Sequence, residues 1–466
     1  MMIPEIHLKE STYKVYKTGI PFYDAARLIG VAHLFFGTAS AEIVDRGAYW
    51  EVKGIDVRRD EEQIEWVIER IRPTQTEIGL FRRSGRFAWK ELHEYFAEVN
   101  KRGRKVELKA EYDAALQIGT RGYDSLKDYR ILAPRSTGLR EKKFFAPFQE
   151  VAAATLGRGF AASVISRTKR QREEMYILPI FSSHVVLSGF LDYEWVYRHS
   201  AGGFVASVLA AISILLDLTS KKIPVIDFTY TKEVKSGNQS VFSESGYLGF
   251  EKLCTLWWKA VEENYEDKIR ILNQIRSYLY ETRNVDQRKD SQNFQLARCL
   301  ANFTVNLDVD SLCMIERLKA RILSAKEEKI VKKWALNLFK SPKDIKEVKE
   351  MVGLGLPDIP QEVSQALAKA LELDEKGWMN QFTRLENATN FSQLIGYVEH
   401  IISRGYYREL QKEGRPNIRN AMNRAGELAS ILKGLSEKLA DEKKFRAWKS
   451  IFLMDVLSRM KFGGGE

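Results

Sequence analysis

From Met351 onward the chain offers only one periodicity, the helical one. Leu385, Ile395, Val398 and Ile402 lie on one stripe, Leu428, Ile431, Leu432, Leu435 and Leu439 on a second, and Trp448, Phe452 and Val456 on a third. Breaks at Gly377, at Gly414-Arg415-Pro416 and over the charged run 441–444 separate them. Helices with a single apolar stripe must bury it against one another, so this segment predicts a helical bundle.

Upstream, both periods occur. "PFYDAARLIGVAHLFFG" carries Phe22, Ala26, Ile29, His33 and Phe36 at helical spacing and stops at Gly37. His33 on that apolar face reads as a packed side chain. "EIVDRGAYWEV" predicts a hairpin turning at Asp45-Arg46-Gly47, and "REEMYILPIF" and "KKIPVIDFTYT" predict strands. Residues 192–218 predict a long helix with a break at Gly202-Gly203, and 250–340 is almost wholly helical. The expected fold class is α+β in three parts. Residues 1–250 form a mixed α/β body, 251–345 continue it as helices, and 351–466 form the C-terminal all-α bundle.

Several function classes drop out. No apolar run reaches the roughly 18–20 uncharged residues that span a bilayer, and Phe204–Leu218 reads as a buried helix. The start "MMIPEIHLKE" has no basic and then apolar leader pattern. Cys254, Cys299 and Cys313 make no CxxC pair, which fits a cytoplasmic protein. There is no phosphate-binding GxxxxGK[ST], no GxGxxG, no HExxH and no GxSxG, and the six histidines lack metal-binding spacing. The expectation is a protein with no enzymatic activity, no cofactor and no metal.

The formal net charge is +11, and the excess is local: residues 130–172 hold ten basic residues against Glu141 and Glu150. Within it, "ISRTKRQR" places Arg167, Lys169, Arg170 and Arg172 in six positions, after the glycines and Arg158 of "GRGF" at 157–160. Such density suits contacts to phosphates, though a solvated loop would look the same. Further on, Arg404, Arg408, Lys412, Arg415 and Arg419 recur at three- and four-residue spacing, which favours one helix face for the first three. The stretch "KSGNQSVFSESGYLG" predicts a loop between a strand and a helix near Phe250. There Asn238 and Gln239 could read base edges. One catalytic pattern stands against this reading. Asp227 followed by Glu233 and Lys235 echoes the D…ExK set of metal-dependent nucleases, although six residues leave little room for the two strands such a site needs.

The arrangement resembles the large subunit of type I CRISPR Cascade surveillance complexes. The likeness is carried by "TGIPFYDAARLIGVAHLFFG", in which Thr18-Gly19, Pro21 and Asp24 open a long helix, and by an α/β body ending in a helical bundle akin to the separate small subunit. Some members carry a CxxC…CxxC zinc module that is missing here. The resemblance implies a non-catalytic role in antiviral defence. The body would recognise the protospacer-adjacent motif (PAM) on duplex DNA and aid strand separation, while base pairing with the guide RNA reads the target. The implied partners are guide RNA, target DNA, the other Cascade subunits (backbone and small subunit) and a helicase-nuclease, with no membrane. A stand-alone RNA-binding protein is the third reading. Finally, the codons of Lys346-Glu347-Val348 can spell a ribosome-binding sequence ahead of Met351, so residues 351–466 are a candidate free small subunit.

Overall fold

The computed structural model describes residues 10–17, 19, 21–36, 40–55, 157–167, 172–189, 191, 196–236, 239–285, 291–325, 329–374, 377–414 and 417–462. The chain divides into two compact units: residues 1–198 with 209–261, and 199–208 with 262–466. The architecture is α+β, with strands gathered in the first unit and helices in the second.

The sheet unit runs β1 (Glu10–Tyr16), α1 (Pro21–Phe36), β2 (Ala41–Asp45), β3 (Tyr49–Ile55), β4 (Ala162–Arg167), β5 (Arg172–Phe181), β6 (His184–Leu187), β7 (Val196–Arg198), α2 (Gly203–Thr219, shared between units), β8 (Val225–Ser236), β9 (Gln239–Tyr247) and α3 (Glu251–Glu262). The strands form two sheets, ordered β1-β3-β2-β6 and β7-β4-β5-β8-β9. Helix α1 packs against strands of both. The "TGIP…D" opening has a physical basis in the β1–α1 corner. Gly19 takes φ +81°, and its N–H donates to Asp24 at 3.0 Å. Arg27, buried with Asp24, ion-pairs to it at 2.9 Å and also donates to the Tyr16 carbonyl. His33 is buried, its ring 4.2 Å from that of Phe160, as a packed histidine should be. The predicted hairpin at 45–47 is present, with Gly47 at φ +80° and its N–H held by the Asp45 carboxylate at 2.8 Å.

Two expectations in this unit fail. No single helix covers 192–218: a short strand, β7, occupies Val196–Arg198, and Gly202 at φ +111° precedes the helix start at Gly203. The stretch after Lys235 is also not a loop. Residues 239–247 return as strand β9 antiparallel to β8, because Val241, Phe242 and Tyr247 supply β-prone positions that outweigh the small polar residues between them.

The helical unit contains α4 (Glu266–Glu281), α5 (Ser291–Asn306), α6 (Val309–Ser324), α7 (Lys329–Asn337), α8 (Pro342–Val352), α9 (Gln361–Glu372), α10 (Trp378–Glu386), α11 (Phe391–Lys412), α12 (Ile418–Lys433) and α13 (Glu442–Arg459). Its axis is α13, buried on every side over Ala447–Leu457 and packed against α6, α8, α9 and α10. The expected division near residue 351 therefore fails, because helices on both sides of it share one core. Met351 itself is buried in the last turn of α8, beside Ile345 and Val348. That helix opens with a reciprocal Ser341–Asp344 cap and closes at Gly353 with φ +69°. Gly377 caps α10 and residues 413–417 separate α11 from α12, as predicted, whereas of the charged run 441–444 only Asp441 marks a break, as the cap of α13, and Glu442–Lys444 form its first turn. The second predicted stripe does not hold throughout. Helix α12 ends at Lys433, Leu439 lies in a separate 3-10 turn, and Ile431 is exposed. Among the described residues, no helix is long and apolar enough to cross a membrane.

Candidate nucleic-acid interface

The "ISRTKRQR" cluster sits at the β4–β5 hairpin end, with Arg167 directly opposite Arg172. Strand β5 then pairs antiparallel with β8, which sets Arg172 opposite Lys235. On the far side of β8 the next hairpin closes, Ser236 opposite Gln239. Two segments almost seventy residues apart thus emerge side by side at one end of the five-stranded sheet. Lys169, Arg170 and Asn238 lie outside the described residues. Positions 166–172 and 234–240 together hold five basic residues, Arg167, Lys169, Arg170, Arg172 and Lys235, and no acid.

Arg167, Arg172 and Lys235 occupy consecutive register positions on three neighbouring strands, about 5 Å from strand to strand. Like charges placed opposite each other destabilise a sheet, so such a row is favourable only where counter-charge arrives from outside. Two acids of the neighbouring β5 are already engaged. Glu173 ion-pairs with Lys232 at 3.0 Å, and Glu174, fully buried, accepts from Ser163 at 2.7 Å.

Arg158 does not belong to this surface. It is 2% exposed, its guanidinium 3.9 Å above the Tyr176 ring. Its neighbour Gly157 lies against α1 so closely that a Cβ would fall 1.7 Å from the Ala26 carbonyl oxygen. "GRGF" is core, with its glycine serving helix packing.

The second basic row divides. Arg404 and Lys412 are exposed on α11, and Arg419 is exposed on α12. Arg408 is committed internally, donating to the Leu373 carbonyl at 3.2 Å and pairing with Asp374 at 3.1 Å just beyond α9. Arg415 lies outside the described residues.

The D…ExK set is spread along a single strand. Asp227 and Glu233 are six residues apart on β8, about 20 Å at the strand rise. Asp227 is buried and accepts the backbone N–H of Phe250 at 2.8 Å and of Gly249 at 3.3 Å, where the chain enters α3. Burial pushes its carboxyl upward against the pull of those donors. It holds the sheet to α3, and the pattern does not converge as a nuclease site requires. Among the described residues, no three His, Cys, Asp or Glu side chains group to hold a metal ion. The three cysteines are free, and burial raises each thiol.

One feature escaped sequence reasoning altogether. A cavity of about 200 Å³ in the helical unit is lined by Glu316 of α6, Glu386 of α10 and Lys449 of α13, among others. Both carboxyls are buried, and burial first and the charge of the Glu386 carboxyl second push Glu316 well above the usual range. Lys449 donates to the Glu386 and Ala388 carbonyls at 2.6 and 2.8 Å, ending α10. Compared with known proteins, the chain matches no family model and no curated sequence.

Proposed function

We propose that this chain binds nucleic acid without catalysis and serves as the large subunit of a type I CRISPR Cascade complex. The carrying observation is the register row Arg167–Arg172–Lys235 at two adjoining hairpin ends. In this reading the β4–β5 end grips phosphates, and the β8–β9 end offers Asn238 and Gln239 to the base edges of the PAM. Phosphate contacts would set position and base contacts would set preference, a division that two neighbouring turns suit. The partners on this reading are guide RNA, target DNA, the backbone and small subunits and a helicase-nuclease in the cytoplasm. The likeness of the β1–α1 opening supports the assignment to Cascade, as does an α/β part followed by helices, although the bundle from 351 onward does not stand apart.

The test is duplex binding across a salt series. Replacing Arg167, Arg172 and Lys235 by Ala should lower affinity on every sequence and reduce the salt slope by about three, roughly one per phosphate contact. Replacing Asn238 or Gln239 by Ala should cost about 1–3 kcal/mol on the preferred PAM and little elsewhere. A folded triple variant with an unchanged slope would remove the interface. Stable co-purification with guide RNA and backbone subunits separates a Cascade subunit from a stand-alone RNA-binding protein.

A further inference from the structure

The four-stranded sheet has two unlike faces. Antiparallel register puts Tyr16 opposite Tyr49, Lys14 opposite Glu51 and Thr12 opposite Lys53, all on one side. The alternate residues Val15, Val52, Ile43 and Val185 form the other side, each no more than 4% exposed, and α1 packs against β1 and β3. Among the described residues, the side bearing the tyrosines is uncovered at Tyr16 and Val186. Tyr16 is 56% exposed and Val186, on the same side, is 50% exposed. A single exposed ring is ordinary, but here two tyrosines adjoin on one sheet face with a lysine beside them, a grouping that points to a binding surface.

Its chemistry narrows the partner. The Tyr16 and Tyr49 rings lie 5.5 Å apart at 48°, and the Lys14 ammonium sits 5.0 Å over Tyr49. On this side Glu51 is paired with Lys53 at 2.8 Å and Arg46 at 3.1 Å, and Glu42 lies 2.9 Å from the His184 ring nitrogen. That leaves Lys14 exposed next to an exposed aromatic face. The pairing suits a ligand that is planar and apolar on one part and anionic on another, which describes a nucleotide with an unpaired base. An acidic peptide would use the lysine and leave the tyrosine ring idle.

We propose that this face is a stacking platform for single-stranded nucleic acid, with Tyr16 receiving a base and Lys14 a phosphate. Adjacent aromatics on an antiparallel sheet serve this purpose because stacking tolerates any base, whereas duplexed bases present no free face. The platform is rigid where it matters, since Arg27 donates to the Tyr16 carbonyl from a buried ion pair with Asp24. It does not depend on the hairpin ends or on a Cascade assignment.

The experiment measures fluorescence anisotropy of labelled oligo-dT and oligo-U titrated with the full chain, alongside a duplex of the same length. Tyr16→Ala should weaken single-strand binding about 10-fold, the scale of one lost stack. Tyr16→Phe should retain it, because the ring is what stacks. Lys14→Ala should lower the salt slope by about one. Duplex binding should be unchanged in Tyr16→Ala and weakened in the Arg167, Arg172 and Lys235 variant, so the two surfaces fail independently. The proposal is overturned if the wild-type chain binds neither oligonucleotide. A Tyr16→Ala protein with wild-type melting temperature and undiminished single-strand affinity overturns it as well, and so does one that loses duplex and single-strand binding equally.

Discussion

The two units reach order by different routes. In the sheet unit, residues distant in sequence become neighbours through register: Arg167, Arg172 and Lys235 meet only because β4, β5 and β8 pair as they do. In the helical unit, a single buried helix, α13, gathers α6, α8, α9 and α10 around it. Pairing also collects this basic row at one end of the five-stranded sheet, while Arg158, Glu174 and Asp227 are drawn into the core. Packing helices around an axis draws charge inward, and Arg408, Lys449 and Glu316 end up serving the fold. The more useful basic surface is therefore expected on the sheet, even though the helical row is easier to see in the sequence.

The sharpest way to break this comparison is to cut the helical unit. A product beginning at Met351 would lack α6 and most of α8, and so would expose two of the faces that bury α13. Expressed alone, residues 351–466 should show no cooperative thermal unfolding, while the full chain should. A well-folded fragment would mean that α13 needs only α9 and α10, and it would revive internal initiation as a route to a free small subunit. Short of a cut, Trp448→Ala should be the most damaging point change. Trp448 is fully buried, stacks on Phe452 at 5.1 Å and donates to the Pro357 carbonyl at 3.1 Å. The expected loss is about 3–5 kcal/mol by urea denaturation.

What the sequence disclosed follows the same line. Helix α1, the 45–47 turn, the caps at Gly377 and Asp441 and the break between α11 and α12 are local, set by a few consecutive residues. The β8–β9 hairpin was hidden because its polar composition resembles a loop, and only pairing reveals the strand. The core role of Gly157 and Arg158 was hidden because glycine beside arginine also describes a phosphate loop. The Tyr16–Tyr49 face and the Glu316–Glu386 pair join residues 33 and 70 positions apart, and no periodicity encodes them.

The buried acids sharpen the contrast through pH. The folded-state carboxyl of Glu316 is raised above its unfolded value of 4.5, so its stabilising contribution is complete below that pH and is lost as pH rises through the folded value. His199, also in the helical unit, has the opposite sign. Burial lowers it from 6.5 to about 4, so stability is full above 6.5 and declines as pH falls toward 4. Lys319, lowered by burial to about 7, works against Glu316 on the alkaline side. Comparing urea midpoints of Glu316→Gln and wild type cancels the Lys319 contribution. The glutamine variant should gain on wild type as pH rises from about 5 to about 9, since it keeps a neutral partner for Glu386. A pH-independent difference would show that folding does not raise the Glu316 carboxyl.

The smallest expected effect tests whether the helical row is divided as described. Arg404 and Arg408 are one turn apart on α11 and look equivalent in the sequence. In the structure Arg404 is exposed, while Arg408 holds the Leu373 carbonyl and the Asp374 carboxylate at the end of α9. Arg408→Ala should cost about 1 kcal/mol of stability, because it releases a carbonyl at a helix end along with a part-buried ion pair. Arg404→Ala should stay within about 0.5 kcal/mol, as surface changes do. In salt-dependent nucleic-acid binding the order should reverse, with any loss of slope confined to Arg404, Lys412 and Arg419. If the two alanine variants lose stability equally, Arg408 is no more tied down than its neighbour. The helical row would then count as a single basic face, and the sheet would lose its claim to be the better-placed surface.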